Sequence, residues 1–183
     1  YSMLAAVSID GRIAAHSRQF TSWTSKEDKD FLHEHLDRAD VVVVGNNTYQ
    51  TAKKPLSKSN CLVLTRKVSK ATPISRSLVF PHTRTRKGNF GSTKNSSFGV
   101  GVYFNPAREN LDRFIRKMKY KRVAVLGGQQ IYTYFLEKNL LDEIYLTIEP
   151  VIFGKGLSMF ETKEFKMRRW KFVSVEKLNK KGS

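Results

Sequence analysis

The apolar run in "RVAVLGGQQIYTYFLEKN" ends on two adjacent glycines, Gly127 and Gly128, placed where chemistry could occur. If the run is a strand of a parallel sheet, the amphipathic stretch after it starts a helix at the strand's carboxyl end. Its free N–H groups and positive dipole end then face a crevice suited to phosphate. Two residues without side chains let a phosphate reach the backbone and tolerate torsions that others resist. The pair is equally compatible with a plain turn, because the G-x-G-x-x-G fingerprint is absent. Tyr132, on the first turn of the same helix, is either a core aromatic or a phenol at that crevice. A second group lies in "SWTSKEDKDFL", where Glu27, Asp28 and Asp30 open another amphipathic stretch. Ser25 and these acids form an N-terminal capping pattern favourable to the helix dipole.

Both groups need a scaffold, and the hydrophobic periodicity supplies one. The segments Met3–Ile9, Asp40–Gly45, Cys61–Thr65, Val100–Phe104, Arg122–Gly128 and Glu143–Ile148 are short, apolar and rich in β-branched residues, as strands buried on both faces are. Between them, Ser25–Arg38, Asn105–Lys119 and Gln129–Asn139 carry helical spacing, with Asn105 and Pro106 as start signals. Alternation of this kind predicts an α/β fold with a mostly parallel central sheet and helices on both faces. The tail Trp170–Leu178 alternates like a strand and follows no helix, which predicts an antiparallel C-terminal edge strand. The Ser, Thr, Gly and Lys stretch from Thr83 to Ser97 reads as a loop. The length of 183 residues is that of one domain, with a basic loop insertion around 83–97.

Composition narrows the function classes. No run approaches the ~18 apolar residues of a membrane span and no signal-peptide pattern is visible, so a cytoplasmic protein without a membrane partner is expected. A single cysteine, Cys61 in "CLVLT", excludes an internal disulfide and a cysteine-based zinc cluster, and no metal site is expected. Thirty-three Lys and Arg against sixteen Asp and Glu leave a net charge of +17, which calls for an anionic ligand or partner. The basic residues are dispersed, and their clusters match no nucleic-acid-binding motif. A small-molecule substrate is favoured over nucleic acid, and the oligomeric state is not fixed.

Three stretches in order, "AAVSIDGRIA", "VVVVGNNTYQTAKKPLSKSNCLVLTR" and "VLGGQQIYTYFLEKNLLDEIYLTIEPVIFGKG", resemble the dihydrofolate reductase superfamily over about two thirds of the chain. The superfamily includes dihydrofolate reductase and the pyrimidine reductase of riboflavin synthesis, both NADPH-dependent oxidoreductases. The resemblance implies that Gly45, Asn46, Asn47 and Thr48 meet NADPH phosphates, and that Thr65, Arg66 and Lys67 grip the 2′-phosphate. It makes Gly127, Gly128, Gln129 and Gln130 the pyrophosphate turn, with a cis peptide between the glycines. Tyr132 would lie near the nicotinamide, Ala5 and Ala6 would let the rings approach, and Ile13 and the loop through Phe20 to Trp23 would form a lid.

For the substrate, the resemblance implies one buried acid early in the helix after Trp23, with Phe31 lining the site and Thr147 behind the acid. Spacing from Trp23 favours Asp28, spacing from Phe31 favours Glu27, and Asp30 comes third. Lys58 or Lys54 would face the folate carboxylate where the family has an arginine. The "TYQTAKKPLSKSNCLVLTR" run favours dihydrofolate reductase, with roles in tetrahydrofolate biosynthesis and one-carbon metabolism. "IEPVIFGKG" points instead to the pyrimidine reductase branch, and a basic nucleic-acid-binding module is the least favoured reading.

Overall fold

The computed structural model describes residues 1–17, 19, 21–74, 101–180 and 183, so the stretch expected to be a basic loop insertion lies outside the described residues. In chain order the elements are β1 (Ser2–Ser8), β2 (Arg12–Ala14), α1 (Lys26–Arg38), β3 (Val41–Gly45), α2 (Asn46–Thr51), a single 3-10 turn (Pro55–Lys58) and β4 (Cys61–Leu64). They continue with β5 (Thr72–Pro73), β6 (Gly101–Phe104), α3 (Leu111–Lys117), β7 (Val123–Val125), α4 (Gln129–Glu137), β8 (Glu143–Glu149) and β9 (Leu157–Ser158). Seven strands form one sheet in the order β5-β6-β4-β3-β7-β1-β8, and β2 pairs with β9 in a small second sheet. Every pairing in the large sheet is parallel except β5 with β6.

The valine run of β3 explains the layering. Successive side chains on a strand point to opposite faces, so Val41 and Val43 enter one core while Val42 and Val44 enter the other. On the first side, Phe104, Leu111, Ile115, Tyr132 and Phe135 close the core with α3 and α4. On the second, Leu36, Leu56 and Cys61 are joined by Phe31, Leu32 and Tyr49 from α1 and α2. Burial pushes the Cys61 thiol up to about 12, so it stays a neutral apolar group. Because β1, β3, β4, β6 and β7 run the same way, their carboxyl ends share one edge of the sheet. Among the described residues no helix is long and apolar enough to cross a membrane.

Two expectations change. The antiparallel edge strand is β5, whereas Trp170–Leu178 joins neither sheet; its apolar side chains Phe172, Val173 and Val175 remain exposed instead of facing β8. The helix expected from Asn105 begins only at Leu111, because the Asn105 side chain serves another purpose. Buried, it accepts from Ala107 N (3.0 Å) and donates to the carbonyls of Arg66 (3.3 Å) and Val68 (2.7 Å). That competition favours a turn over helix propagation, and Asn110 caps the helix in its place by accepting from Arg113 N. Finally β2, β9 and α2 carry too few residues for a periodicity to show in sequence.

Candidate active site

A cleft of about 180 Å³ opens at the carboxyl edge of the sheet, between β1, α1, α2 and the start of α4. Leu4, Ala5 and Ala6 of β1 form part of its wall, and small side chains there keep it open. Ile13 of β2 and Leu157 of β9 lie across the mouth, held by the antiparallel pairing of those strands. Asp10 fixes the adjoining loops by accepting from Ser8 Oγ (2.6 Å), Phe153 N (3.1 Å) and Gly154 N (2.9 Å). Trp23 packs edge-on against Phe153, with ring centroids 4.9 Å apart at 76°. Of the residues expected to form a lid, Ile13 lines the cleft, Trp23 packs on Phe153, and Phe20 lies outside the described residues.

Of the three acids, only Asp28 enters the cleft, where it is 8 % exposed. Ser25 is the helix N-cap and accepts from Asp28 N (3.2 Å), so Asp28 is the third helical residue and turns inward. Glu27, named as a catalytic candidate from sequence, occupies the preceding position and faces solvent, within 3.4 Å of Asn179 Nδ2. Asp30 is exposed and pairs with Lys26 at 3.4 Å. Burial raises the Asp28 carboxyl above its ordinary range; hydrogen bonds from the Thr147 and Thr24 hydroxyls oppose that, and the nearby Glu149 charge adds to it. Thr147 lines the cleft beside this carboxyl, and Phe31 lines the same cleft. Lys58 is exposed and does not line the cleft, because its turn sends Leu56 inward instead.

Thr24, Lys29 and Glu149 escape the sequence reading. Lys29 Nζ donates to the Thr24 carbonyl (2.9 Å) and lines the cleft. Glu149, 4 % exposed, accepts from Ser25 N (2.7 Å) and Ser183 Oγ (2.7 Å). Burial alone would raise its carboxyl, but these donors outweigh burial and hold it low. The result is a charged carboxylate clamping the cap that orients Asp28. Their one sequence signal, "IEP" after a strand, does not reveal a contact with a residue so far away in the chain.

The side of the cleft toward β3 and β7 is built from strand ends. Gly127 and Gly128 are joined by a cis peptide, with Gly127 at φ 76° and its carbonyl accepting from Gly45 N (2.8 Å). A Cβ on Gly128 would come 3.5 Å from Thr48 Oγ1, so Gly128 faces Thr48, whereas the space beside Gly127 is filled by the Tyr132 ring. The cradle at Gly128, bordered by the first turn of α4, fits a pyrophosphate. Asn46 accepts from Gln50 (3.3 Å), Asn47 is exposed, Gln129 donates to Ser158 Oγ (3.0 Å) and Gln130 is exposed. Thr65 Oγ1 accepts from Lys67 N (3.3 Å), and Arg66 and Lys67 project from this turn into solvent.

Tyr132 lines the cleft with its ring, but its hydroxyl is committed elsewhere. It donates to the Leu4 carbonyl at 2.6 Å, and burial raises its pKa so that it stays protonated. The reading of Tyr132 as a catalytic phenol near the nicotinamide, implied by the resemblance, is therefore revised toward a structural role. Tyr132→Phe should cost about 1 kcal/mol of stability, read as a lower urea midpoint at unchanged slope. It should slow single-turnover hydride transfer less than about tenfold. A larger slowing would return the hydroxyl to the reacting ring.

This fold and cleft define an α/β reductase architecture of the dihydrofolate reductase type. Residues 2–181 match the RibD C-terminal domain, and the chain belongs to that family, which places it among oxidoreductases. It is 27 % identical over 175 residues to the riboflavin biosynthesis protein RibD of Aquifex aeolicus, covering 84 % of this chain and 47 % of that protein. A diaminohydroxyphosphoribosylaminopyrimidine deaminase/5-amino-6-(5-phosphoribosylamino)uracil reductase from Thermotoga maritima shares the fold at TM-score 0.63 and 20 % identity. That match covers 96 % of this chain and 52 % of the other, so the chain spans about half the length of both proteins. Dihydrofolate reductase of Enterococcus faecalis is also similar, at TM-score 0.52 and 16 % identity over 88 % of this chain and 76 % of that one. The order of preference drawn from sequence is thereby reversed: the pyrimidine reductase branch stands ahead of dihydrofolate reductase.

Proposed function

We propose that this protein is an NADPH-dependent reductase acting on a phosphoribosylamino-pyrimidine of the riboflavin pathway. The observation that carries the reading is the buried Asp28 carboxylate in a cleft bordered by the bare glycine turn, in a chain of the RibD C-terminal domain family. An amino-substituted pyrimidine presents neighbouring N–H donors, and a carboxylate accepts two of them at once. NADPH, when bound, supplies the hydride. The turns at Gly45–Thr48 and Gly127–Gln130 hold its phosphates, and Arg66 with Lys67 holds the 2′-phosphate. Ala5 and Ala6 let the two rings approach, while Ile13 and Leu157 keep water from the cleft.

A second reading, reduction of dihydrofolate, is supported by the arrangement of Asp28, Thr147 and Phe31, which also suits a pterin edge. NADPH oxidation separates the two. Turnover with the phosphoribosylamino-pyrimidine and none with dihydrofolate is expected; the opposite pattern replaces the first reading with the second, and turnover with neither removes both.

Cofactor choice gives a further expected result. The Arg66 main chain is pinned by Asn105, so the side chain alone is altered in Arg66→Ala. Losing a charge-assisted phosphate contact should raise KM for NADPH by about 10- to 100-fold and leave KM for NADH unchanged. Equal losses with both cofactors would exclude this turn as the 2′-phosphate site.

A further inference from the structure

β8 grips the start of α1 at two points. Its buried side chains Thr147 and Glu149 alternate with the exposed Leu146 and Ile148, so both buried groups leave the same face of the strand. The Thr147 hydroxyl donates to the Asp28 carboxyl. Two residues on, Glu149 Oε1 accepts from Ser25 N at 2.7 Å and Oε2 accepts from Ser183 Oγ at 2.7 Å. Ser25 Oγ in turn accepts from Asp28 N, which makes a chain of contacts from the Glu149 carboxylate through the helix cap to the cleft acid.

The fold does not require a charge at this end of β8. A neutral amide could accept from Ser25 N, and a buried carboxylate with one N–H and one hydroxyl for partners is held at a desolvation cost. Glu149 is nevertheless kept ionised, its carboxyl below the ordinary range because these donors outweigh burial. It does not line the cleft, whereas Asp28 and Lys29 do. The charge therefore stands one layer behind the acid that faces the ligand.

We propose that Glu149 is a positioning residue of the cleft: it fixes the first turn of α1 so that the Asp28 carboxyl enters the cleft, and it sets a second negative charge behind that carboxyl. The role rests on the reading of Asp28 as the substrate acid. Among the described residues, the charged or titratable groups facing Asp28 are Lys29 on its own helix, Glu149 on β8 and Tyr132 on α4. Tyr132 stays neutral. The Lys29 ammonium, held by the Thr24 carbonyl, lies near both carboxylates and offsets part of their repulsion. Burial does most to make Asp28 hold its proton, and Glu149 is the neighbouring charge that adds to it.

Glu149→Gln and Glu149→Ala separate the two parts of the role. The amide keeps an oxygen for Ser25 N and loses the charge; alanine loses both. Followed by carbon-13 NMR, the Asp28 carboxyl should titrate at lower pH in Glu149→Gln than in the wild type, because a like charge has gone. Glu149→Ala should lower kcat with the phosphoribosylamino-pyrimidine at least ~10-fold while KM for NADPH changes less than about twofold, and glutamine should recover most of that loss. An Asp28 titration unchanged in Glu149→Gln overturns the proposal, as does an equal loss of kcat in both variants. If Glu149→Ala fails to fold, the glutamine variant decides: a titration moved to lower pH supports the role, and an unmoved one overturns it. The carbon-13 titration needs no substrate. A protein inactive on the pyrimidine would thus remove the functional reading and leave the titration to decide whether Glu149 acts on Asp28.

Discussion

Asp28→Asn should leave a folded protein whose turnover falls by on the order of 10²- to 10⁴-fold, while Glu27→Gln changes turnover less than about twofold. The amide keeps the shape of Asp28 and its place on α1, but it loses the charge and one of two acceptor oxygens. Glu27 faces solvent at the same helix start and contributes only a dipole interaction of at most about 1 kcal/mol. Stability should move the other way for Asp28→Asn. Burial raises the Asp28 carboxyl in the fold. An acid raised in this way favours the fold while protonated, fully so below its unfolded pKa of about 3.9, and that advantage is lost as pH rises through the folded value. At neutral pH the wild type therefore holds an unfavourable buried charge that the amide lacks. The variant's Tm should exceed the wild type's at pH 7, with the gap narrowing toward pH 4. Steady-state rates and thermal melts across that range check both halves. A variant that is fully active, or less stable at pH 7 than at pH 4 relative to wild type, would remove Asp28 from the substrate site.

Gly127→Ala should cost about 2–4 kcal/mol of stability, from overpacking and an unfavourable torsion together. Gly127 has φ 76°, and a Cβ there would collide with Cζ of Tyr132 and lie 2.8 Å from its hydroxyl. The ring is buried and held by its bond to Leu4, so it cannot withdraw without breaking that bond. Gly128→Ala is the informative contrast. Gly128 has φ −73°, and its Cβ would make an ordinary 3.5 Å contact with Thr48 Oγ1. It should fold with a loss under about 1 kcal/mol, yet it fills the cradle and should raise KM for NADPH at least ~10-fold. Urea denaturation of both variants with NADPH titration separates space needed by the fold from space kept for the ligand. Equal stability losses would show that the second glycine is also a packing requirement.

The sequence by itself determined the layered α/β scaffold. β-branched runs such as Val41–Val44 and amphipathic stretches such as Lys26–Arg38 carry periodicities that local backbone geometry fixes. It also located the glycine turn and narrowed the acid to three neighbours, because capping and turn chemistry are local. Spacing from Trp23 and the Ser25 cap favoured Asp28 in sequence, but its burial beside Thr147 and Glu149 follows only from how α1 lies against β8. Tertiary structure alone turned the Tyr132 hydroxyl to the Leu4 carbonyl and drew Asn105 away from a helix start to pin the Arg66 loop. In both cases a bond between segments far apart in the chain outweighs the local preference.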